Sequence, residues 1–424
     1  MRRSRLVTVA ILGFALVATL VGLVGSGSLG IGLSTTTTSS PGAALSPYSP
    51  FVPEEARAVQ AANSDVNVKL PQSVGAPSPV LPSAAFTKSL GSRVVLGFLP
   101  SWQLGDVGSV DYTALSEIAY FGIEAEPHGA ILHRGYGWSG LGSSSVATLV
   151  ADAHAHGVRA LLSVFSNTNS TLDALAADPV ASGTALATST AALIRQHSFD
   201  GVDLDLEGLH TSARAGFVRF MTVFSSRFRS IDPSLSIVLN TFPQSAIDPT
   251  SFFDVKALNA SVDQFFVMAY EMGDLSIPGP TAPLEGAALS DASALATYAA
   301  AVPPSKVILG IPFYGYDFQA TRPKPPADSE GSPVSVTYTG VVEAARPGLW
   351  DPVSETPFTS FRRAGHWHQT WYENPVSVAL KVALASQFRV GGVGVWELGM
   401  ASGEPEMSRV LDGGASPARL GLAS

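Results

Sequence analysis

The sequence predicts an α/β fold: a (β/α)8 TIM barrel with a small α+β insertion between its seventh and eighth strands. Three observations predict it. Eight short apolar runs recur between residues 93 and 398. Stretches with apolar residues three and four apart separate several of them. One run carries an acidic residue at every second position.

The runs are "RVVLGFLP" (93–100), "EIAYFGI" (117–123), "RALLSVF" (159–165), "GVDLDLE" (201–207), "LSIVLNTF" (235–242), "DQFFVMAY" (263–270), "KVILGIPF" (306–313) and "GGVGVWEL" (391–398). The stretch "ARAGFVRFMTVFSSRFRSID" after the fourth run has helical spacing. Strands alternating with helices form βαβ units on a parallel sheet, and eight such units close a barrel. A doubly wound open sheet is the structural alternative, but no G-x-G-x-x-G follows the first run. The gap from the seventh run to the eighth is the long one. From 318 to about 385 it holds "PVSVTYTGVVEAA" and "TPFTSFRRAGHWHQTWYE", which read as short antiparallel strands plus a helix inserted as a subdomain.

The ends differ in character from this middle. Arg2, Arg3 and Arg5 precede an uncharged stretch from Leu6 to Gly25, so residues 1–33 read as a signal peptide or a membrane anchor. Arg on the N-terminal side keeps that end in the cytoplasm, and either reading puts the remainder outside, secreted or tethered at the cell surface. Residues 34–88 are rich in Ser, Thr and Pro and are expected to be a disordered linker. The barrel is expected over 89–413, and 414–424 is a tail. The 424-residue chain is 46% hydrophobic, enough for a large core, and its net charge of −9 without a basic stripe excludes a nucleic-acid partner. With no cysteine there is no disulfide, thiolate metal site or Cys nucleophile. The protein is expected to be a monomer.

The fourth run poses the functional question. Side chains alternate along a strand, so Asp203, Asp205 and Glu207 share one face and Val202, Leu204 and Leu206 the other. Barrel interiors are ordinarily filled by branched apolar residues. Three carboxylates there are costly to bury and resist joint ionisation. Stability gives no reason for them, whereas a shared proton is a means of keeping an acid protonated near neutrality. Glu207 comes last, at the end of the strand where barrel enzymes hold their sites. Asp200 has the opposite parity and belongs to the turn before the strand. A solvated edge strand would explain the alternation but not the apolar helices on both sides. A Mg²⁺ or Ca²⁺ site made by D-x-D-x-E is a second functional reading. His154 and His156 lie two apart in a predicted helix and His366 and His368 lie in the insertion, so neither pair is expected to ligate a metal.

"DGVDLDLE" resembles the D-G-x-D-x-D-x-E signature of glycoside hydrolase family 18, the chitinase-like enzymes. "VMAYE" (267–271) resembles the family's M-x-Y-D, "ILGIPFYGYDF" (308–318) its G-x-P-x-Y-G, and "GGVGVWEL" its closing strand with a Trp. The resemblance spans about residues 93 to 412. "WYENPVSVALKVALA" and the compact insertion are most similar to the bacterial branch of spore-cortex and peptidoglycan N-acetylglucosaminidases. Two features depart from the pattern. The strand-three S-x-G-G is "LLSVFSN" without its glycines, and the Asp after the strand-six Tyr is Glu271.

The resemblance implies a glycosidase that cuts β-1,4-linked N-acetylglucosamine polymers with retention, using the substrate's own acetamido group and no metal or cofactor. By that resemblance Glu207 is the general acid/base, Asp205 holds the acetamido N–H, Asp203 sits behind it sharing a proton, and Tyr270 bonds the acetamido carbonyl. Trp396 is the floor beneath the sugar. Met268, Glu271, Asn240, Phe98 and Trp102 are further candidate sugar contacts. A lectin-like barrel that binds sugar without cutting it is the alternative from another class.

Overall fold

The computed structural model of the protein describes residues 93–411 and 413. The expected signal peptide or anchor (1–33), linker (34–88) and tail (414–424) lie outside the described residues. Among the described residues, no helix is long and apolar enough to cross a membrane.

Eight parallel strands close on themselves. They are β1 (Val94–Pro100), β2 (Glu117–Glu124), β3 (Arg159–Ser166), β4 (Gly201–Leu206), β5 (Ser236–Thr241), β6 (Gln264–Val267), β7 (Val307–Pro312) and, after the insertion, β13 (Gly392–Trp396). Their order around the barrel is β1-β13-β7-β6-β5-β4-β3-β2. Each of the eight apolar runs supplies one strand. The sixth is shorter than its run, ending at Val267. Met268 to Glu271 then leave the ladder as irregular chain at the barrel mouth.

Helices cover the outside for reasons the sequence makes plain. In Arg214–Ile231 the buried residues Phe217, Phe220, Met221, Phe224 and Phe228 recur at three and four, so one stripe faces the barrel. Asp178 accepts a hydrogen bond from the Ala181 amide and Pro179 occupies the first turn, which starts the Pro179–His197 helix. Asn374 and Ser377 form a capping box at the head of Pro375–Gln387, with Pro375 in the first turn.

The inner layer is closed by one aromatic ring. Phe266 projects inward from β6, and a Cβ on either Gly310 of β7 or Gly394 of β13 would lie 2.8 Å from that ring. Real Cβ contacts do not come so close, so the two glycines are what let Phe266 fill the barrel centre. Phe98 from β1 meets it edge-on at 5.0 Å.

The insertion is a second, antiparallel sheet. Its strands are β8 (Tyr314–Ala320), β9 (Val334–Thr337), β10 (Gly348–Asp351), β11 (Thr356–Arg363) and β12 (His366–Trp371), in the order β10-β11-β12-β8-β9. Ala364 and Gly365, both at positive φ, make the two-residue turn between β11 and β12. The sequence reading placed this subdomain at 318 to about 385. The sheet begins earlier, at Tyr314, because the chain leaves the barrel at Phe313, whose amide bonds the Trp396 carbonyl at 2.7 Å. A continuous apolar run hides that break. The helix at the other limit, Pro375–Gln387, packs on β7 and β13 and so is part of the barrel's covering.

Candidate active site

β4 places Asp203 and Asp205 inside the barrel, 0% and 3% exposed, with Glu207 at its mouth, 1% exposed. Val202, Leu204 and Leu206 point outward into the helices and are fully buried, each contributing about 1.5–3 kcal/mol. That apolar anchorage fixes the parity that turns the carboxylates inward. Asp200 sits at the opposite end. It accepts from the Ala160 amide at 2.7 Å and lies 2.8 Å from His154 Nε2, the turn position its parity implies.

Neighbouring strands serve the carboxylates. Ser163 stands opposite Asp203 in the β3–β4 ladder and donates to its Oδ2 at 2.6 Å. Asn240, at the end of β5 and 3% exposed, hydrogen-bonds to both Asp203 and Asp205. Burial, followed by the charge of Asp205, raises Asp203 well above the usual carboxyl range, against the pull of Ser163 and Asn240. Burial lifts Asp205 to about 7, with Asn240 holding it down. Both carboxyls are thus raised by burial, and the pair holds a proton more readily than two exposed carboxyls would. Tyr270 is 3% exposed. Burial and then the charges of Asp205 and Glu207 push its hydroxyl far up, so it remains a proton donor.

An aromatic group lines the other side. Trp396, 4% exposed, packs on Phe98 at 5.5 Å and edge-on to Phe121 at 4.9 Å. Phe121 in turn stacks on Phe165 at 4.9 Å and meets Trp102 at 6.0 Å. Trp396 Nε1 and Asp205 Oδ1 are buried and have no hydrogen-bond partner within the protein. Orphaned buried polar atoms are costly, and this donor and acceptor are what a polar ligand would satisfy.

The candidate contacts separate clearly in this geometry. Trp102 is 41% exposed at the rim. Phe98 is fully buried beneath Trp396, so it supports the indole and presents no stacking surface. Met268 is also buried, at 2% exposure, and its amide bonds the Thr241 carbonyl. Asn240 faces the two aspartates.

Glu271 is 1% exposed and stands at φ 54°, a left-handed conformation that costs a non-glycine residue on the order of 1–3 kcal/mol. Its Oε1 accepts from Tyr314 at 2.5 Å, Tyr316 at 2.8 Å and Thr281 at 3.4 Å. Burial raises it to about 7 despite those donors.

Sequence reasoning missed Ser163, Tyr314, Tyr316 and Glu397. Ser163 is visible as the first serine of "LLSVFSN". Tyr314 and Tyr316 are two apart in "YGYDF" and hence on one face. Glu397, buried beside Trp396, is lifted to about 8 by burial and accepts from the Gly399 amide at 2.8 Å. Among the described residues, no cluster of three or more His, Cys, Asp or Glu side chains is placed to hold a metal ion.

These buried carboxyls fix a pH dependence. In the unfolded chain Asp and Glu titrate near 4. In the folded chain Asp205 and Glu271 titrate at about 7 and Glu397 at about 8, each raised by burial. Between those limits the folded state holds more protons, so stability falls as pH rises through the window. Calorimetry at pH 5.5 should give a Tm at least about 3 °C above that at pH 8. A Tm that instead rises toward pH 8 would contradict this account of the buried charges.

The family model described as "Glycosyl hydrolases family 18" matches residues 94–401. The putative sporulation-specific glycosylase YdhD of Bacillus subtilis is 26% identical over 212 residues, 49% of this chain and 48% of that protein. The chain thus spans about half the length of this relative. Among solved structures, a GH18 chitinase from Cycas revoluta, a mutant in complex with (GlcNAc)4, superposes with a TM-score of 0.67 at 19% identity over 75% of this chain and 98% of that one. The Bacillus cereus spore cortex-lytic enzyme SleL superposes with a TM-score of 0.63 at 18% identity over 76% of this chain and 74% of that one. At these identities the two superpositions speak to the fold.

Proposed function

The chain belongs to glycosyl hydrolase family 18, and from that premise we propose that it hydrolyses β-1,4-linked N-acetylglucosamine-containing glycans by substrate-assisted, retaining catalysis. The observation that carries the reading is the arrangement on β4. Asp203, Asp205 and Glu207 share the inner face, and the Tyr270 hydroxyl lies within the field of all three.

In the proposed reaction Glu207 delivers a proton to the glycosidic oxygen as that bond to the anomeric carbon breaks. The acetamido carbonyl oxygen of the same sugar closes on the anomeric carbon, its O–H···O contact supplied by Tyr270. Asp205 accepts a hydrogen bond from the acetamido N–H through the oxygen that is unpartnered in the free protein and stabilises the positive bicyclic ion. Asp203 holds the proton that lets Asp205 stay ionised beside it. Glu207, now a carboxylate, takes a proton from the water that reopens the ring. Trp396 forms the floor, its Nε1 free to donate, and Trp102 meets a sugar at the rim.

The substrate we propose is peptidoglycan in preference to chitin, met outside the membrane by an exported or tethered enzyme. The basic, then apolar, N-terminus and the sequence likeness to a sporulation-specific glycosylase support this. Incubation with chito-oligosaccharides and with purified peptidoglycan, read by mass spectrometry and by proton NMR of the first product, tests it. Fragments ending in a reducing N-acetylglucosamine that appears first as the β anomer are expected. The α anomer first would sink the retaining mechanism. Oligosaccharide binding with no cleavage of either polymer would leave the lectin-like barrel in its place.

A further inference from the structure

The inserted sheet reaches the candidate active site through one residue. Glu271 follows Tyr270 where β6 runs out, and its Oε1 accepts the hydroxyls of Tyr314 and Tyr316, 43 and 45 residues further on in β8. The Tyr314 ring lies 6.1 Å from the Tyr270 ring, edge to face.

The other side of Glu271 is fixed too. Thr281 Oγ1 accepts from the Glu271 amide at 3.1 Å, and the Thr281 carbonyl accepts from Met272 at 2.9 Å. The next residue, Ala282, accepts from Lys381 Nζ at 2.5 Å, and Lys381 is itself locked to Asp291 on the following helix. The Leu284 amide bonds the Ser354 carbonyl of the insertion at 3.0 Å.

We infer that Glu271 is a positioning residue whose carboxylate clamps the end of β6, and with it Tyr270, to the first strand of the inserted sheet. The insertion thereby sets where the Tyr270 hydroxyl stands, although none of its side chains takes part in the proposed reaction. The clamp explains why a non-glycine residue is held at φ 54° there. Hydroxyls from β8 and from the loop converge on one oxygen, and only the left-handed turn brings it between them. The inference rests on the reading of Tyr270 as the hydroxyl that bonds the acetamido carbonyl.

The test compares the full chain with its Glu271→Ala, Glu271→Gln and Tyr314→Phe/Tyr316→Phe variants on chito-oligosaccharides. A clamp predicts that Glu271→Ala lowers kcat roughly 10- to 100-fold with KM within about threefold, since small misplacements act on the chemical step. Glu271→Gln, whose amide oxygen accepts the same hydroxyls, should recover most of that loss. A raised KM with unchanged kcat, or Gln no better than Ala, overturns the clamp and makes Glu271 a sugar contact or a general structural support.

Crystal structures of wild type and Tyr314→Phe/Tyr316→Phe add a readout independent of turnover. Both substitutions keep the ring and remove only the hydroxyl. Displacement of the Tyr270 ring supports the clamp, and an unmoved ring overturns it. A wild type that cuts no glycan would refute the functional reading, while the ring position would still decide the inference.

Discussion

Glu207→Gln is expected to lower kcat by roughly 10²- to 10⁴-fold, the range that a positioned general acid supplies, while KM for chito-oligosaccharides stays within a few-fold. The substitution keeps the shape of a side chain that is 1% exposed at the end of β4, so packing is preserved. What is lost is the only group on that strand placed at the mouth, beyond the Asp203–Asp205 pair. Removing one acid from a crowded set of buried carboxylates also lowers their mutual repulsion. The variant should therefore melt no lower than the wild type, as is usual when a site is built at the expense of stability. Full activity in the variant, measured as reducing ends released, would dismiss Glu207 as the acid. A wild type without turnover, whose oligosaccharide binding changes little in the variant, would point to a lectin.

Lys381→Met is expected to be the most damaging substitution for folding. Lys381 is 1% exposed, with Nζ 2.5 Å from Asp291 Oδ2 and 3.5 Å from Glu373 Oε1, and both carboxylates are equally buried. Burial works against its charge, but the two carboxylates outweigh it and keep the ammonium protonated. Methionine preserves the volume and removes the only cation of this cluster. Breaking a buried ion pair in this way costs about 3–5 kcal/mol, because the partners are left uncompensated. The orphaned acids relieve themselves by taking up protons, so the loss should be smaller at pH 5 than at pH 8. Chemical denaturation at both values checks this. A loss below about 1 kcal/mol at pH 8 would mean that the cluster is not closed to water. Replacing all three residues by apolar ones should restore much of the stability.

The barrel was legible because its signals are local. Apolar runs at intervals and a two-residue acidic repeat are properties of short windows, and the buried outer face of β4 gives the repeat its meaning. The insertion's boundary was not legible. "ILGIPFYGYDF" carries no charge before Asp317, while Phe313 is where the strand partners change from β6 and β13 to β9 and β12. The facing of Phe98 and Met268 was out of reach for a related reason. Alternation says which residues point inward, but the depth of each within the barrel depends on strand stagger and on what lies above. The two tyrosine donors to Glu271 and the Lys381–Asp291 pair join residues 43 to 90 positions apart. One sequence carries no signal that links such partners.

β7 and β13 are partners in the barrel wall, yet the chain makes a detour of some 80 residues between them, from Phe313 to Gly391. The detour leaves and rejoins on neighbouring strands, so the rungs between β7 and β13 use no residue of the inserted sheet. Architecture of this kind invites replacement of parts. A foreign segment spliced between the same two strands should still yield a closed cylinder if it retains the Pro375–Gln387 helix. If the clamp holds, such a chimaera would inherit the acidic strand intact but lose the two tyrosines that steady its neighbour.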